Sequence, residues 1–371
     1  MRILYVFRSL AIWGGIERIL VDKMNYLADK YGYEVFMLTA NQGSHSVPYS
    51  LSKSVCMEDL NIRFHDQYKY KGIYRLYDIC KRYRLFRKRL KERIRTISPN
   101  VIVCVADGYH VPITNVKGDI PLIVEAHNNC SFFYKGGGLL KNLMFWYQRI
   151  YFPKADMLVT LTKKDADQWK RLSSNVVVIP NLVQLNKSSK YSNLENKRII
   201  FVGRFEEQKR VFDVLSIWKK VYPKFPNWRL DIYGEGGLRS QLEEVSSSLG
   251  MNVRIHHPTD KIFDCYRESD LLILTSEYEP FGLVIPEAMS CGLPVVSYNS
   301  PYGPETIITD GYDGFIVPLG DKEQFANRLC LLLCDFHLRQ EMGRHAIESS
   351  QRYSSEEIMP MWKNLFEKYK K

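Results

Sequence analysis

Residues 271–299 read LLILTSEYEPFGLVIPEAMSCGLPVVSYN, and this stretch decides the fold class. Its ends, LLILTS (271–276) and PVVSYN (294–299), are short apolar runs bounded by turn residues, which predicts buried parallel strands. The segment between them contains Pro280 and Gly282 and continues as an apolar run of helical length, so the three pieces form a strand–helix–strand unit. Such a unit places the loop after the first strand at the carboxyl edge of a sheet, where ligands bind in open α/β folds.

Apolar runs of the same kind recur along the chain, separated by longer segments with helical spacing. In the first half, the predicted strands are RILYVF (2–7), YEVFMLT (33–39), VIVCVA (101–106), PLIVEAH (121–127), MLVTLT (157–162) and VVVIPN (176–181). In the second half, the further predicted strands are RIIFVG (198–203), WRLDIYG (228–234), VRIHH (253–257) and GFIVPL (314–319). This alternation predicts an α/β protein of two Rossmann-like domains with parallel sheets. A length of 371 residues suits two such domains.

The domain boundaries follow from an interruption of this pattern. The polar stretch 186–197, NKSSKYSNLENK, contains no predicted strand or helix and is expected to be a linker. The first domain is therefore predicted to cover 1–185 and the second 198–353. The tail 354–371 has its acidic residues near the start and lysines at the end, which suits a helix dipole and predicts a helix.

The composition excludes several classes of protein. With 45% hydrophobic and 25% charged residues, the chain is neither a disordered nor a collagen-like sequence. The eight cysteines are scattered and contain no C-x-x-C pair, so they are predicted to be free thiols in a reducing compartment. No apolar run approaches the roughly 18 residues that span a bilayer, and the N-terminus lacks a signal-peptide pattern. We therefore expect a cytoplasmic protein.

The charge is concentrated in one segment of the first half. Residues 1–190 contain 30 basic and 15 acidic residues, whereas the rest contains 22 and 26. The segment 69–95, KYKGIYRLYDICKRYRLFRKRLKERIR, alone holds 12 basic and 2 acidic residues. Because aromatic and aliphatic residues are interleaved with these cations, the segment is predicted to bind an anionic membrane surface at the inner face of the cell membrane. Alternatively, its apolar residues pack on the first sheet and its cations form a solvated face.

Two carboxylates flank the turn in the quoted stretch. Glu279 lies in the loop before the predicted helix and Glu287 lies about two turns later, so the two can reach different hydroxyl groups of one ligand. The turn and helix start also supply free backbone N–H groups, which favour phosphate binding. The alternative is that both carboxylates are solvated and that Glu287 only stabilises the helix start.

A second loop brings cations to the same sheet edge. Gly203 ends the strand RIIFVG and permits a tight turn, and Arg204 and Lys209 follow it. Paired cations can neutralise a diphosphate leaving group. An ordinary exposed basic pair remains the alternative. The turn at Gly234, after WRLDIYG, is a weaker signal of the same kind.

The first half contains two candidate loops. Gly14 and Gly15 lie between the first strand and the first helix, where they permit a close approach of the backbone to a ligand. The pattern is not G-x-G-x-x-G, and no acidic residue ends the second strand, which argues against a dinucleotide-dependent dehydrogenase. His127 ends the strand PLIVEAH, although a lone histidine is more often structural. Asp165 and Asp167 have the spacing of a metal-binding pair, but they lie at an apparent helix start and are predicted to act as a cap.

Together these elements resemble glycosyltransferase family 4, a group of retaining, metal-independent nucleotide-sugar transferases with the GT-B fold. The matching elements occur in order as GG-x-E (14–17), His127, I-P-N (179–181), VGR with a following Lys (202–209), G-x-G (234–236), E-x7-E (279–287) and A-M-x-x-G-x-P-V-V (288–296). The resemblance implies that the C-terminal helix 354–371 returns to the N-terminal domain.

The resemblance also implies roles for single residues. Glu287 is expected to hold the ribose hydroxyls, Glu279 those of the donor sugar, and the backbone at 281–283 the sugar and distal phosphate. The implied donor-binding residues are Gly14, Gly15, Gly203, Arg204, Lys209, Gly234, Glu279, Phe281, Gly282, Leu283 and Glu287.

The residues that the resemblance places at the reacting centre are His127, Glu279, Arg204 and Lys209. Arg204 and Lys209 would clamp the diphosphate and His127 would lie by the donor sugar, while Gly15 would approach the diphosphate from the facing domain. No metal and no other cofactor is expected, because the nucleotide sugar is a substrate. The chain departs from the family at Arg210 and Leu182, where glycine is usual.

The expected function is that of a retaining glycosyltransferase that moves a hexose-type sugar from a nucleotide diphosphate sugar, with UDP the favoured nucleotide. The expected acceptor is a saccharide, linked to a polyprenyl diphosphate, in bacterial surface polysaccharide synthesis. One alternative is a nucleotide-sugar epimerase of the same fold, which needs catalytic acids and no acceptor. The other is a nucleic-acid-binding protein, which accounts for the basic segment but leaves the E-x7-E element unexplained. No nucleic acid is therefore expected as a partner.

Overall fold

The computed structural model of the protein describes residues 1–133 and 138–370, and the chain divides into two compact units. The first unit consists of Met1–Leu182 together with Ile358–Lys371, and the second consists of Val183–Glu357. Each unit is built on one parallel sheet with helices between most successive strands. The predicted fold class is confirmed.

The strands of the first unit are short and mostly buried on both faces. They are β1 Arg2–Phe7, β2 Glu34–Thr39, β3 Val55–Asp59, β4 Val101–Val105, β5 Leu122–Ala126, β6 Met157–Thr160 and β7 Val176–Val178. Their order across the sheet is β3-β2-β1-β4-β5-β6-β7, with parallel neighbours throughout. All but β3 coincide with the predicted runs. At the sheet edge β3 alternates buried and more exposed residues and so lacks a continuous apolar run.

Helices cover both faces of this sheet. They are α1 Gly15–Asp29, α2 Gly72–Ile97, α3 His110–Thr114, α4 Leu139–Arg149 and α5 Lys163–Trp169. The C-terminal half of α2 packs Phe86, Leu90 and Ile94 into the same core as Leu4 and Val6 of β1. The basic segment 69–95 is therefore anchored to the sheet by one half of its helix.

The second unit repeats the architecture. Its strands are β8 Arg198–Val202, β9 Arg229–Tyr233, β10 Val253–His256, β11 Leu271–Leu274, β12 Val295–Tyr298 and β13 Gly314–Val317. They lie in the order β10-β9-β8-β11-β12-β13 and are again parallel. Each coincides with a predicted run. Most of these strands are largely buried and form continuous apolar stretches, whereas the edge strand β10 is only partly buried.

The helices of the second unit are α6 Val211–Val221, α7 Arg239–Ser248, α8 Ile262–Arg267, α9 Val284–Met289, α10 Pro304–Ile307, α11 Lys322–Cys334 and α12 Phe336–Ser350. Side chains fix the starts of two of them. Asp321 accepts a hydrogen bond from the Gln324 N–H at α11 (2.9 Å), and Asp335 accepts one from the Leu338 N–H at α12 (2.9 Å). Such caps satisfy backbone donors that the helix itself leaves unpaired.

The segment 186–197, which the sequence predicts as a linker, has no regular secondary structure but is hydrogen-bonded to the second unit. The Ser192 N–H donates to the carbonyl of Cys291 (2.9 Å), and the Asn196 N–H donates to the carboxylate of Asp270 (3.0 Å). The chain thus enters the second unit at Val183 rather than after a free linker.

The last helix, α13 Ser355–Glu367, belongs to the first unit from Ile358 onward. Its buried side chains are Ile358, Met359, Trp362, Leu365 and Phe366. The expected return of the C-terminal helix to the N-terminal domain is confirmed. Among the described residues, every cysteine is a free thiol, and no helix is both long and apolar enough to cross a membrane.

We expect Phe366→Ala to lower the free energy of unfolding of the first unit by about 3–5 kcal/mol, because the fully buried ring leaves a cavity. Chemical denaturation followed by far-UV circular dichroism measures this change. Met361→Ala is the matched control on the same helix, since its side chain is partly exposed, and it should shift stability by only about 0.5 kcal/mol. Equal effects of both substitutions would contradict the packing of α13 in the first unit.

Candidate active-site residues in the two units

In the second unit, the loops after β8 and β9 run side by side. The Gly203 N–H donates to the carbonyl of Tyr233 (3.0 Å), and the Phe205 N–H donates to the carbonyl of Glu235 (2.8 Å). A Cβ atom on Gly234 would lie 1.9 Å from the Gly203 carbonyl oxygen. Glycine at 234 is therefore required by the close approach of two backbones.

The loop after β8 also joins the loop after β11. The Thr275 hydroxyl donates to the carbonyl of Lys209 (2.9 Å), and the Gln208 side-chain amide donates to the carbonyl of Tyr278 (2.7 Å). The Lys209 ammonium forms an ion pair with the Glu279 carboxylate, which also accepts from the Ser276 hydroxyl (3.1 Å). The structure thus brings together Lys209 and Glu279, two residues that the sequence predicts at one sheet edge.

Arg210 replaces the glycine that is usual in the family and keeps the backbone conformation that glycine favours. Its φ is +46°, in the left-handed region, which costs a non-glycine residue about 1–2 kcal/mol. The guanidinium donates to the Asp213 carboxylate (2.8 Å), and this hydrogen bond raises the pKa of Arg210. The ion pair offsets part of the backbone cost. Leu182, the second departure, does not have a positive φ.

Free backbone donors lie directly after Glu279. Gly282 has a φ of +90°, and the Gly303 N–H donates to the carbonyl of Glu279 (2.9 Å), which holds this loop in place. Within the described part of the chain, the N–H groups of Phe281, Gly282 and Leu283 donate to no protein acceptor. Helix α9 is only six residues long, shorter than predicted, so the groups available to an anion here are the backbone donors of the loop rather than a long helix dipole.

Glu287 lies on α9 and faces α8. Its carboxylate accepts a hydrogen bond from the Tyr266 hydroxyl (3.3 Å). Glu287 is 3% exposed and Glu279 is 8% exposed, so the interpretation of both as solvated surface carboxylates is wrong. Carboxylate oxygens accept hydrogen bonds, so both side chains have the chemistry to bind hydroxyl groups of a ligand.

An open groove of about 580 Å³ lies beside α8, against which α9 packs. The lining residues that matter here are Tyr233 and His256 from strand ends and Lys261, Cys265 and Arg267 from α8 and its start. The rings of Tyr233 and His256 are stacked, with centroids 4.3 Å apart. The groove therefore combines aromatic and cationic groups next to α8, the helix that carries Tyr266, the hydrogen-bond partner of Glu287.

Arg204 is not part of the Lys209–Glu279 contact. Its guanidinium is largely exposed and donates to the Glu206 carboxylate (3.1 Å). An exposed ion pair of this kind contributes little to stability, so the side chain can be redirected to a ligand at little cost.

In the first unit, Gly14 and Gly15 form the start of α1. The Tyr49 hydroxyl donates to the carbonyl of Gly14 (3.1 Å), and a Cβ atom on Gly14 would lie 2.1 Å from a carboxylate oxygen of Glu17. Glu17 is buried and accepts from the Arg8 guanidinium (3.1 Å). The glycine therefore makes room for a buried carboxylate at the end of β1.

His127 is part of a buried polar cluster that the sequence analysis did not identify. Its Nε2 lies 3.2 Å from Oε2 of Glu125 on β5, and both oxygens of Glu125 lie 2.5 Å from the Lys23 ammonium on α1. The ammonium also lies 3.9 Å from the ring centroid of Trp362 on α13. Lys23 falls on the apolar face of its helix, three residues from Leu20 and four from Ile19, and this position is the signal that could have identified it.

The charges in this cluster stabilise one another. Burial acts to raise the pKa of Glu125, but Lys23 and His127 outweigh burial and hold the pKa below its usual range. Burial lowers the pKa of Lys23, while Glu125 acts in the opposite direction. Burial and the Glu125 charge raise the pKa of Tyr5. The carboxylate is therefore ionised at neutral pH.

The predicted cap at Asp165 is wrong in one respect, because Thr162 caps α5 by accepting from the Asp165 N–H (3.2 Å). The Asp165 carboxylate instead accepts from the Cys130 N–H (3.3 Å) and the Trp169 indole N–H (3.0 Å). Burial raises its pKa to about 7. In the described ranges, no three His, Cys, Asp or Glu side chains are grouped to hold a metal ion.

The first unit also exposes a large apolar and basic surface. The N-terminal half of α2 exposes Ile73, Tyr74, Leu76 and Tyr77, and the exposed cations Arg84, Arg87, Lys88 and Lys91 follow. Helix α4 adds the exposed side chains Leu143, Met144, Trp146 and Tyr147, with Ile150 after it. Phe86 of α2 and Phe145 of α4 belong to the same core cluster.

Two family models match the chain in succession. The model described as Glycosyltransferase Family 4 matches residues 13–187, and the model described as Glycosyl transferases group 1 matches residues 184–349. The chain belongs to the group 1 and family 4 glycosyltransferases. The predicted family and the predicted enzyme class are confirmed.

Two relatives of this glycosyltransferase match over nearly their whole length. An uncharacterized glycosyltransferase of Haemophilus influenzae is 27% identical over 95% of this chain and 96% of its own. The Campylobacter jejuni enzyme named GalNAc-alpha-(1->4)-GalNAc-alpha-(1->3)-diNAcBac-PP-undecaprenol alpha-1,4-N-acetyl-D-galactosaminyltransferase is 24% identical over 100% and 99%. Among solved structures, S. aureus TarM in complex with fondaparinux, alpha-GlcNAc-glycerol and UDP is 15% identical, covers 98% of this chain and 99% of its own, and has a TM-score of 0.78. This last likeness shows the fold.

Proposed function

We propose that this glycosyltransferase moves a hexose-type sugar from a nucleoside diphosphate sugar, a UDP-sugar, to a saccharide acceptor with retention of the anomeric configuration. The observation that carries the proposal is the loop 279–283. A buried carboxylate held by Lys209 is followed there by three backbone N–H groups without an acceptor in the described chain. Within one turn, such a loop offers backbone hydrogen-bond donors to a phosphate and a carboxylate acceptor to sugar hydroxyls.

Each part of a nucleotide sugar has a matching group in the second unit. The distal phosphate accepts hydrogen bonds from the N–H groups of Phe281, Gly282 and Leu283. Lys209 and Arg204 neutralise the charge of the leaving diphosphate. Glu279 accepts hydrogen bonds from sugar hydroxyls. Glu287 and its α8 partner face the ribose, and the groove beside α8 receives the base.

The names of relatives support the acceptor class and the donor class. The Campylobacter jejuni relative acts, by its name, on a saccharide carried by diphospho-undecaprenol. The fold neighbour from S. aureus was solved with UDP. We propose that this protein likewise elongates a polyprenyl-diphosphate-linked saccharide in bacterial surface polysaccharide synthesis.

Transfer is proposed to need no divalent metal. The cations and loop donors around Lys209 can carry the diphosphate charge. The Asp165 carboxylate, in the D-x-D pair 165–167, is already hydrogen-bonded within the first unit. Charge neutralisation by fixed side chains replaces the usual task of the metal.

The proposed function predicts a specific response to nucleotides. A panel of nucleoside diphosphates should raise the melting temperature only for the base that the donor carries, since a ligand that binds the folded state stabilises it. The corresponding nucleotide sugar, incubated in EDTA with a polyprenyl-diphosphate-linked saccharide as acceptor, should release nucleoside diphosphate as its sugar is transferred to an acceptor hydroxyl. Anomer-resolved analysis of the glycoside should show the configuration of the donor. Activity that EDTA abolishes and Mn²⁺ restores would contradict the metal-independent mechanism. If the product is instead a free, epimerised nucleotide sugar, the protein is an epimerase and not a transferase.

We expect Glu287→Ala and Arg204→Ala each to lower kcat/KM for the donor, because each removes a charge-assisted contact to it. The loss should be about 2–4 kcal/mol of transition-state stabilisation, measured from initial rates. Glu244→Ala and Arg254→Ala are matched controls, since both side chains are exposed on the same unit. Melting curves serve as the control that each variant is folded. If either site variant turns over substrate at a near-normal rate, the residue it replaces does not belong to the donor site.

We also propose that the exposed surface of α2 and α4 binds the anionic inner face of the cell membrane, where a polyprenyl-linked acceptor is reached. The aromatic and aliphatic side chains suit the interfacial region, and the cations suit anionic headgroups. Each basic residue near such a surface contributes about 1 kcal/mol, so four give reversible binding.

Liposome sedimentation tests this proposal. Binding should rise with the fraction of anionic lipid, fall with salt, and be lost when Arg84, Arg87, Lys88 and Lys91 are changed to Glu. The matched control changes four exposed lysines of the second unit to Glu, namely Lys187, Lys190, Lys219 and Lys224. Equal loss in both variants, or equal binding to neutral and anionic liposomes, would contradict membrane docking through α2.

A further inference from the structure

The Lys23–Glu125–His127 cluster is buried, yet one of its nitrogen atoms has no hydrogen-bond partner among the described residues. The three side chains are buried, and the Nε2 atom of His127 faces Glu125. Within the described residues, the Nδ1 atom of His127 has no hydrogen-bond partner, and it is not among the fully buried polar atoms that lack one. The ring is therefore fixed through one nitrogen while the other can meet a ligand.

The protonation pattern of the ring follows from its partner. An ionised carboxylate only accepts hydrogen bonds, so the contact at Nε2 requires a proton on that nitrogen. A neutral imidazole that carries its proton on Nε2 has a lone pair on Nδ1. The buried Glu125 thus selects the tautomer that presents Nδ1 as an acceptor.

Lys23 determines whether the ring stays neutral. An unpaired buried carboxylate next to a histidine would stabilise the imidazolium form. Here the ammonium of Lys23 contacts both oxygens of Glu125, so the pair as a whole carries no net charge. Two other titratable groups near Glu125, Tyr5 on β1 and Cys104 on β4, are uncharged at neutral pH. Burial is the main cause that raises the pKa of each.

From this geometry we propose that Lys23 and Glu125 are positioning residues that hold His127 as the neutral Nε2–H tautomer, with Nδ1 accepting a hydrogen bond from a sugar hydroxyl. This inference rests on the proposed function. Departure of a diphosphate leaves positive charge on the sugar ring, as in other glycosyl transfers. A neutral acceptor nitrogen is compatible with that charge, whereas an imidazolium would oppose it.

The pair also links the histidine to the last helix. The Lys23 ammonium lies against the Trp362 ring, a position in which a cation is attracted by the π-system. Trp362 therefore fixes the lysine, the lysine fixes the carboxylate, and the carboxylate fixes the imidazole.

The test uses the full chain labelled with ¹⁵N-histidine. Long-range ¹H–¹⁵N spectra at pH 7.5 identify the tautomer, and His127→Gln assigns the signal. The wild-type ring should be neutral with its proton on Nε2. A wild-type His127 that is protonated on Nδ1, or is an imidazolium, would overturn the inference even if transfer is measured.

The variant Lys23→Met/Glu125→Gln removes the charges together, which avoids leaving one buried charge unpaired. We expect the Nε2–H signature to be lost or mixed and kcat to fall roughly ten- to a hundredfold, the typical cost of losing an orienting partner. The dissociation constant for UDP should change by less than about twofold. The matched control is Lys117→Met/Asp156→Asn, a partly buried ion pair (3.1 Å) at the opposite edge of the same sheet, which should leave both readouts unchanged.

The two proposals fail separately. If the double variant keeps the wild-type tautomer and kcat, the pair is only structural and the inference is wrong. If no nucleotide sugar is turned over by the wild-type protein, the proposed function fails, and the tautomer spectra alone decide whether Lys23 and Glu125 set the state of His127.

Discussion

Parallel pairing of strands forces every strand of a sheet to end at the same edge, and the candidate site of the second unit depends on this constraint. Strands β8, β9 and β11 end at Val202, Tyr233 and Leu274, and the loops that follow them are hydrogen-bonded to one another. Residues 70 positions apart in the chain, Lys209 and Glu279, therefore form an ion pair. Glycine is needed where two such loops approach most closely, at Gly234.

The strands were largely predictable because burial on both faces leaves a continuous apolar signature. The exception, β3, lies at a sheet edge and alternates in polarity, so a short run such as VCMED resembles a loop. The length of α9 was overestimated for a related reason. Apolar residues continue after Met289 because they are buried in the turn toward β12, and apolar periodicity alone does not distinguish a helix from a buried turn.

The site was predictable where one loop carries the chemistry and not where distant elements meet. Glu279 and Lys209 lie in loops whose positions follow from strand order, and Glu287 lies on the short helix α9 that follows one of these loops. Lys23 could not be assigned a partner, because its burial depends on Trp362, which lies at the far end of the sequence. Likewise, the sequence shows the charge of the segment 69–95 but not that only its C-terminal half packs on the sheet, which leaves aromatic side chains of the other half exposed.

The return of α13 to the first unit has a consequence for synthesis of the chain on the ribosome. The first unit lacks Trp362 and Phe366 until the whole of Val183–Glu357 has been translated. At a translation rate of about 5–20 residues per second, these 175 residues take roughly 10–35 s to synthesise. During this time the apolar surface of the first unit that α13 later covers is exposed. The second unit, which is continuous in the chain, can fold within that interval. The part of the protein that is made first is thus completed last, and its nascent surface is a natural substrate for chaperones.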